Sequence, residues 1–161
     1  MINKNDLSNL LEEIYGLMLK QVDGLSHADS LIQPQPGGNC LNWVMGHLVD
    51  NLADILEFLG GKRPTDLPDL SHYGFGSEPV LGDGPGVQKL EVLIDTYTQL
   101  NAQVVNRLAE MDASDFDEEI DYFRGKGRRG YVVFFFFYHH SYHIGQLEQL
   151  RNLAGRTEKI V

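Results

Sequence analysis

The sequence predicts an all-α fold: a four-helix bundle with a long crossover between the second and third helices. Three observations predict it. Four segments repeat apolar residues at three- and four-residue spacing, the period of an amphipathic helix. No stretch shows sustained strand alternation between turn signals. The second and third segments are separated by about 27 residues, Gly60 to Gly86, which hold four Pro and seven Gly, too many for a helix interior. A connection that long usually crosses over or carries function, and as a crossover it lets its flanking helices run parallel.

The first helix is expected from about Asp6 to Val22. Leu7, Leu10, Leu11, Ile14, Leu17, Met18 and Val22 form its stripe, and Asp6 caps or charges its first turn. The second is expected from about Leu41 to Leu59, with Asn39 as N-cap after the Pro36-Gly37-Gly38 turn and Gly60-Gly61 as the stop. Its stripe is Leu41, Val44, Leu48, Leu52, Ile55 and Leu59. The third runs from about Val87 to Met111, through Leu90, Leu93, Ile94, Tyr97, Leu100, Val104, Val105 and Leu108. The fourth starts near Arg129 or Tyr131 and ends near Ala154, before Gly155. Its first part, Tyr131 to Tyr138, would read as a buried strand if taken alone. It continues without a turn signal into the helical pattern after His139, so it is assigned to the helix. The connection 112–128 is acidic and then basic, and reads as solvated surface.

With 161 residues the chain is expected to form one domain, residues 1–161, large enough to bury a core without disulfides. Its one cysteine, Cys40, excludes an internal bridge, a multi-cysteine zinc site and a CxxC redox motif. A net charge of −10 argues against nucleic acid and anionic membrane surfaces as partners. Met1 to Asp6 lack the apolar run of a signal peptide. The longest strongly apolar run, Tyr131 to Tyr138, is far short of the ~20 residues of a membrane span. The expectation is a soluble cytoplasmic protein.

The chemistry is sought among the six histidines. With His139 at zero and about 100° per residue, His143 falls at about 40°, Gln146 at about −20° and Leu150 at about 20°. Leu153 and Phe135 fall at about −40°, and Val132 at about 20°. The pair is thus expected in the middle of the apolar stripe, with His140 about 100° away and outside it. Two inward imidazoles one turn apart bury nitrogens that cost about 1–3 kcal/mol each if unpaired, and a shared metal satisfies both. From spacing alone the pair reads equally as core histidines or as part of a metal site. His47, at the edge of the second helix's stripe, is the candidate third ligand. His27 and His72 fall in loops and read as solvated. Three imidazoles leave positions open for water or substrate, the arrangement of a catalytic ion. Phe134, Phe137 and Ile144 fall on the far side of the fourth helix, which predicts cover by loops or, preferably, by a homodimer interface.

Two stretches carry a family resemblance. Asn42-Trp43-Val44-Met45-Gly46-His47-Leu48 resembles the "W-x-x-G-H-L" entry to the second helix of the DinB-like superfamily. His139-His140-Ser141-Tyr142-His143-Ile144-Gly145-Gln146-Leu147, with Leu150-Arg151 and Leu153-Ala154-Gly155, resembles its fourth-helix "H-x-x-Y-H-x-G-Q-L…L-R…L-x-G" signature. The resemblance implies an up-down-down-up bundle in which His47, His139 and His143 hold a divalent metal, often nickel or zinc. It further implies a thiol-dependent S-transferase, using a low-molecular-weight thiol, or a related hydrolase, acting on a small electrophilic substrate, commonly as a homodimer. The competing expectation is a metal-binding or stress-related helical module without catalysis. His140 departs from the family, which often has Glu there. Gly145 is expected to permit close helix approach, Gln146 to bond within the core, Tyr142 to pack an interface and Trp43 to serve as core or pocket wall. No general base stands out.

Overall fold

The structure is a computed structural model that describes residues 3–160. Met1 and Ile2, the start of the stretch read for a signal peptide, lie outside the described residues, as does Val161. The chain is mostly helical. Four long helices, α1 (Lys4–Val22), α3 (Leu41–Phe58), α4 (Leu90–Glu110) and α5 (Arg129–Leu153), are joined by a one-turn α2 (His27–Ser30), a 3-10 turn (Ala113–Asp117) and a hairpin of β1 (Glu119–Tyr122) and β2 (Gly125–Arg128). α3 packs on α4 and α5, and α1 packs on the same two helices, around one hydrophobic core. Among the described residues no helix is long and apolar enough to cross a membrane.

α1 starts two residues before the sequence expectation. Asn3, not Asp6, is its N-cap: the Asn3 side chain accepts from the Asn5 and Asp6 backbone N–H groups, while the Asp6 carboxylate accepts from the Asn3 backbone N–H. This reciprocal arrangement satisfies donors that a helix start leaves open. Leu7, Leu11, Ile14, Met18 and Val22 are buried as expected, whereas Leu10 and Leu17 lie at the edge of the core.

α3 is the central helix, with 14 of its 18 residues buried, so its surroundings rather than one stripe define it. Its N-cap is Cys40, not Asn39. Cys40 is extended and fully buried, and its thiol donates to the Val80 carbonyl instead of capping. The helix ends where expected, at Leu59-Gly60, with Gly60 at φ +78°.

The 59–89 connection lies on α3, through Tyr73 against Asn42 and His47. Tyr73 is fully buried; its hydroxyl accepts from the Gln88 N–H at 2.7 Å and donates to Asn42 Oδ1 at 3.0 Å. α4 then begins at Leu90 rather than Val87, because Gly84 to Val87 close a separate turn and Lys89 is still extended. His27, expected in a loop, lies in α2. Its Nδ1 accepts from the Leu90 N–H at 3.3 Å, which ties the 23–40 connection to the start of α4.

Residues 112–128, read as a solvated loop, contain the 3-10 turn and the hairpin. β1 and β2 are antiparallel with Glu119 opposite Arg128 and Tyr122 opposite Gly125, leaving Phe123 and Arg124 as a two-residue tip. Ile120 and Tyr122 turn toward the core while Glu119 and Asp121 face solvent. Four residues of alternation are too short to stand out in a sequence. The acidic and basic runs face each other, with Lys126 3.5 Å from Glu119 and Arg128 3.3 Å from Asp117.

α5 is continuous through Tyr131 to Tyr138, as expected, but its core face is rotated from the predicted one. Val132, His143 and Leu150 are buried as expected, but the buried arc runs on through Phe136, Leu147, His140, Val133, Arg151, Ile144 and Phe137, whereas Leu153 is 51% exposed. The arc centres near His140, about 100° from His139. Apolar residues surround this helix, so sequence does not select the face. The rotation removes most of the face expected to meet a second copy: Phe137 and Ile144 are buried within the chain, and of the three residues only Phe134 is exposed.

Candidate metal centre

His47 comes from the middle of α3, and His139 and His143 from successive turns of α5. The structure brings together these three histidines, the same three named from the sequence, as a group able to hold a metal ion. The Nε2 atoms converge: His139 Nε2 lies 3.2 Å from that of His47 and 3.0 Å from that of His143. The outward nitrogens of two rings are engaged. His47 Nδ1 is 2.8 Å from the Tyr73 carbonyl, and His143 Nδ1 is 2.6 Å from Gln146 Oε1. Both of those oxygens accept, so each Nδ1 carries the proton and donates it. The Nε2 of His47 and of His143 must then present lone pairs, and both aim at His139 Nε2.

A single N–H on His139 Nε2 serves only one of these lone pairs well, and the Asn51 amide, whose nitrogen is 3.4 Å from both ring nitrogens of His47, makes its shorter bond, 2.9 Å, to the His47 carbonyl. Three neutral imidazoles therefore place more acceptors than donors at one point, and a cation satisfies all of them. This donor set fits a divalent ion, with the Tyr73 carbonyl and Gln146 holding two of the rings. The electrostatics agree. Burial lowers the pKa of His47, partly offset by the Tyr73 carbonyl and Asp50. Burial and then His47 lower that of His139. Burial, followed by the charges of His139 and His47, pushes His143 down to about 4. The rings are neutral at pH 7, the form that ligates.

The local sequence explains how His47 is held. A Cβ on Gly46 would lie 2.2 Å from the Tyr73 ring, so only glycine lets this ring and its carbonyl approach α3. On the other side Trp43 stacks on His47, ring centroids 4.9 Å apart, while its indole N–H donates to Ser77. Trp43 is thus a wall of the site. Gln146, expected to bond within the core, holds His143 while its amide N–H donates to the Tyr142 hydroxyl at 3.3 Å. Tyr142 is exposed beside His143. Gly145 is exposed with nothing near its Cβ position, so no close helix approach occurs there. Tyr73 was not singled out from the sequence. Its one signal was Gly46, a glycine inside a helix and next to a candidate ligand, which marks close approach of another group.

His140 stands apart. It is fully buried on the core side, its Nδ1 3.1 Å from the Tyr97 hydroxyl. Burial and the neighbouring histidines hold its pKa well below the ordinary value, so it is neutral. His27 and His72 are not in the cluster.

His47 and His139 also line a cavity of about 350 Å³. Phe58, Phe135 and Phe136 form its wall, Phe75 and Phe123 its exposed rim, and Asp50, Asp54 and Arg124 its charged lining. Arg63 bridges Asp50 and Asp54, at 2.6 Å from the latter. Burial and the Asp50 charge push Asp54 up to about 6 against the pull of Arg63. A larger hollow of about 460 Å³, between the starts of α1 and α5, contains none of the histidines.

Known proteins place the chain. It is similar to a solved structure, described as the crystal structure of the conserved protein of locus from Enterococcus faecalis, with a TM-score of 0.72 and 14% identity over 96% of this chain and 98% of that one. At that identity the likeness concerns the fold. No curated protein matches the sequence. The DinB superfamily profile matches residues 10–147, a span that contains His47, His139 and His143, and the chain therefore belongs to the DinB superfamily.

Proposed function

We propose that the chain is a metal-dependent enzyme, a thiol-dependent S-transferase or related hydrolase acting on a small electrophilic molecule. In this reading residues 1–161 form one domain, an up-down-down-up four-helix bundle with the 59–89 connection as its crossover. His47, His139 and His143 hold a divalent ion, nickel or zinc. The observation that carries the reading is the meeting of three histidine Nε2 atoms, two of them on rings, His47 and His139, that line a cavity walled by phenylalanines. A divalent ion held there lowers the pKa of a thiol or water and so supplies a nucleophile near neutral pH. The chain's own residues do the rest. The Tyr73 carbonyl and Gln146 fix the tautomers and directions of two rings. Trp43 limits the movement of His47. The phenylalanine wall excludes water and takes the apolar part of the substrate.

The test has two arms. Metal content of the purified protein should be about one ion per chain, as one three-histidine site requires. His143→Ala should lose that ion while helical circular dichroism is retained; absence of metal under any loading condition overturns the reading. In the second arm, metal-loaded protein is incubated with low-molecular-weight thiols and monochlorobimane. A conjugation rate no higher than that of the metal-free control overturns the S-transferase assignment and leaves hydrolysis, or a metal-binding module without catalysis.

A further inference from the structure

Six of the seven arginines have hydrogen-bond or ion-pair partners within the chain. Arg63 bridges Asp50 and Asp54, and Arg128 faces Asp117. Arg107 and Arg129 donate to carbonyls at the end of α3, Arg151 to carbonyls at the end of α1, and Arg156 to Gly24. Arg124 is the exception. Among the described residues its guanidinium makes no hydrogen bond and no ion pair. It sits at the hairpin tip, with its central carbon 5.0 Å from the Phe123 ring centroid and 4.7 Å from that of Phe135. Two phenyl faces hold the cation in place while its N–H edges stay free, the state in which a guanidinium takes a carboxylate bidentately.

Arg124 lines the cavity that His47 and His139 also line. We propose that Arg124 is the anion-binding residue of this cavity, and that its ligand is a small molecule with a carboxylate at one end and an apolar, ring-sized body. The carboxylate pairs with the Arg124 edge, the body lies on Phe58, Phe135 and Phe136, and the far end faces the histidines. The proposal rests on the reading of the histidines as the reactive centre, but the binding step does not require a metal.

The opposite ligand, an organic cation, is disfavoured by the same geometry. The phenyl faces of Phe123 and Phe135 already carry a cation. Asp50 and Asp54, the acids of the lining, are both turned to Arg63, and although two carboxylates share that one guanidinium, their oxygens are engaged there and not presented to the Arg124 end of the cavity. On a chain of net charge −10, an anion also needs a local unpaired cation to be admitted.

The test uses the full chain, once treated with chelator and once loaded with zinc. Three probes share one body and differ at the end: 3-phenylpropionate, 3-phenylpropan-1-ol and 3-phenylpropan-1-amine. Affinities are read by calorimetry or by chemical-shift titration. A charge-assisted pair predicts that the acid binds about tenfold more tightly than the alcohol or the amine, in both metal states. Arg124→Ala, an exposed substitution, should erase this preference, so that acid and alcohol bind with equal affinity, and Arg124→Lys should restore part of it. A preference that survives in Arg124→Ala but needs zinc assigns the carboxylate to the metal and overturns the proposal. Tighter binding of the amine, equal binding of all three, or no binding of the acid at millimolar concentration overturns it as well. Failure of the proposed function would show instead as a wild-type protein that takes up no metal, which leaves the titrations of the chelated protein intact.

Discussion

At the residue scale, two of the three rings of the site, His47 and His143, are fixed from behind. Gln146 turns His143 by accepting its Nδ1 proton at 2.6 Å. Loss of such an outer partner typically costs 10–100-fold in metal affinity. Gln146→Leu is therefore expected to lower zinc affinity by about that factor with the fold intact, measured by competition with a chromogenic chelator; an unchanged affinity would show that Gln146 does not orient the ligand. Gly46 serves His47 through Tyr73. A methyl at position 46 cannot coexist with the present Tyr73 ring, and overpacking of this kind costs about 1–3 kcal/mol. Gly46→Ala should thus lower the urea midpoint and, by displacing the Tyr73 carbonyl, weaken metal binding as well. A variant as stable as wild type would sink this account. The three histidines were legible in the sequence because their spacing and helix placement are local properties. Tyr73 was not, because it reaches the site through a 26-residue separation that only the folded connection closes.

At the element scale, helix ends are closed by arginines from elsewhere in the chain. The Arg129 Nε donates to the Phe58 carbonyl at 2.8 Å and Arg107 to the Leu59 carbonyl at 2.8 Å, so the end of α3 receives two cations. Arg151 donates to the Asp23 carbonyl at 2.7 Å, just past α1. These positions hold unsatisfied carbonyls and the negative end of the helix dipole. Hydrogen bonds to charged groups contribute about 1.5–3 kcal/mol. Arg129 also donates to the Asp115 carbonyl and pairs with Glu118. Arg129→Ala is accordingly expected to destabilise the chain by about 2–3 kcal/mol in denaturant unfolding, well beyond the effect of a surface charge; a loss below the surface-pair range would refute the capping role. The existence of all four long helices was legible because their apolar period persists over many turns. Their starts were less so, since Cys40 and Leu90 are set by packing and by a preceding turn, not by a capping side chain. The rotation of α5 escaped for the opposite reason: its apolar residues are too many to mark one face. Its core side is fixed by the helices it meets, α1 and α3.

At the scale of the whole molecule, the buried histidines make stability depend on pH with a predictable sign. His143 is held at about 4, against an ordinary 6.5, and the values for His47, His139 and His140 are lowered too. The unfolded chain therefore binds protons more readily than the folded one below pH 6.5. The stabilisation from these groups is complete above that pH and is lost as pH falls toward 4. For His143 alone the shift corresponds to roughly 3 kcal/mol. Asp54 acts in the opposite sense. Its folded value is raised to about 6, so its favourable contribution exists at low pH and disappears as pH rises through 6. That contribution is the smaller one, because the Asp54 side chain is 37% exposed and screened by solvent. Four histidines outweigh one screened carboxyl. The chelated protein should lose stability steadily between pH 6.5 and 4, as read from urea midpoints. Asp54→Asn should raise stability at pH 7 but not at pH 4. Saturating zinc should steepen the acid loss, because the ion binds only the folded, deprotonated cluster and its contribution vanishes with the ligands' lone pairs. A chelated protein whose midpoint is flat or rises on acidification would mean that these imidazoles are not buried neutral, and with them would go the lone-pair argument for the metal.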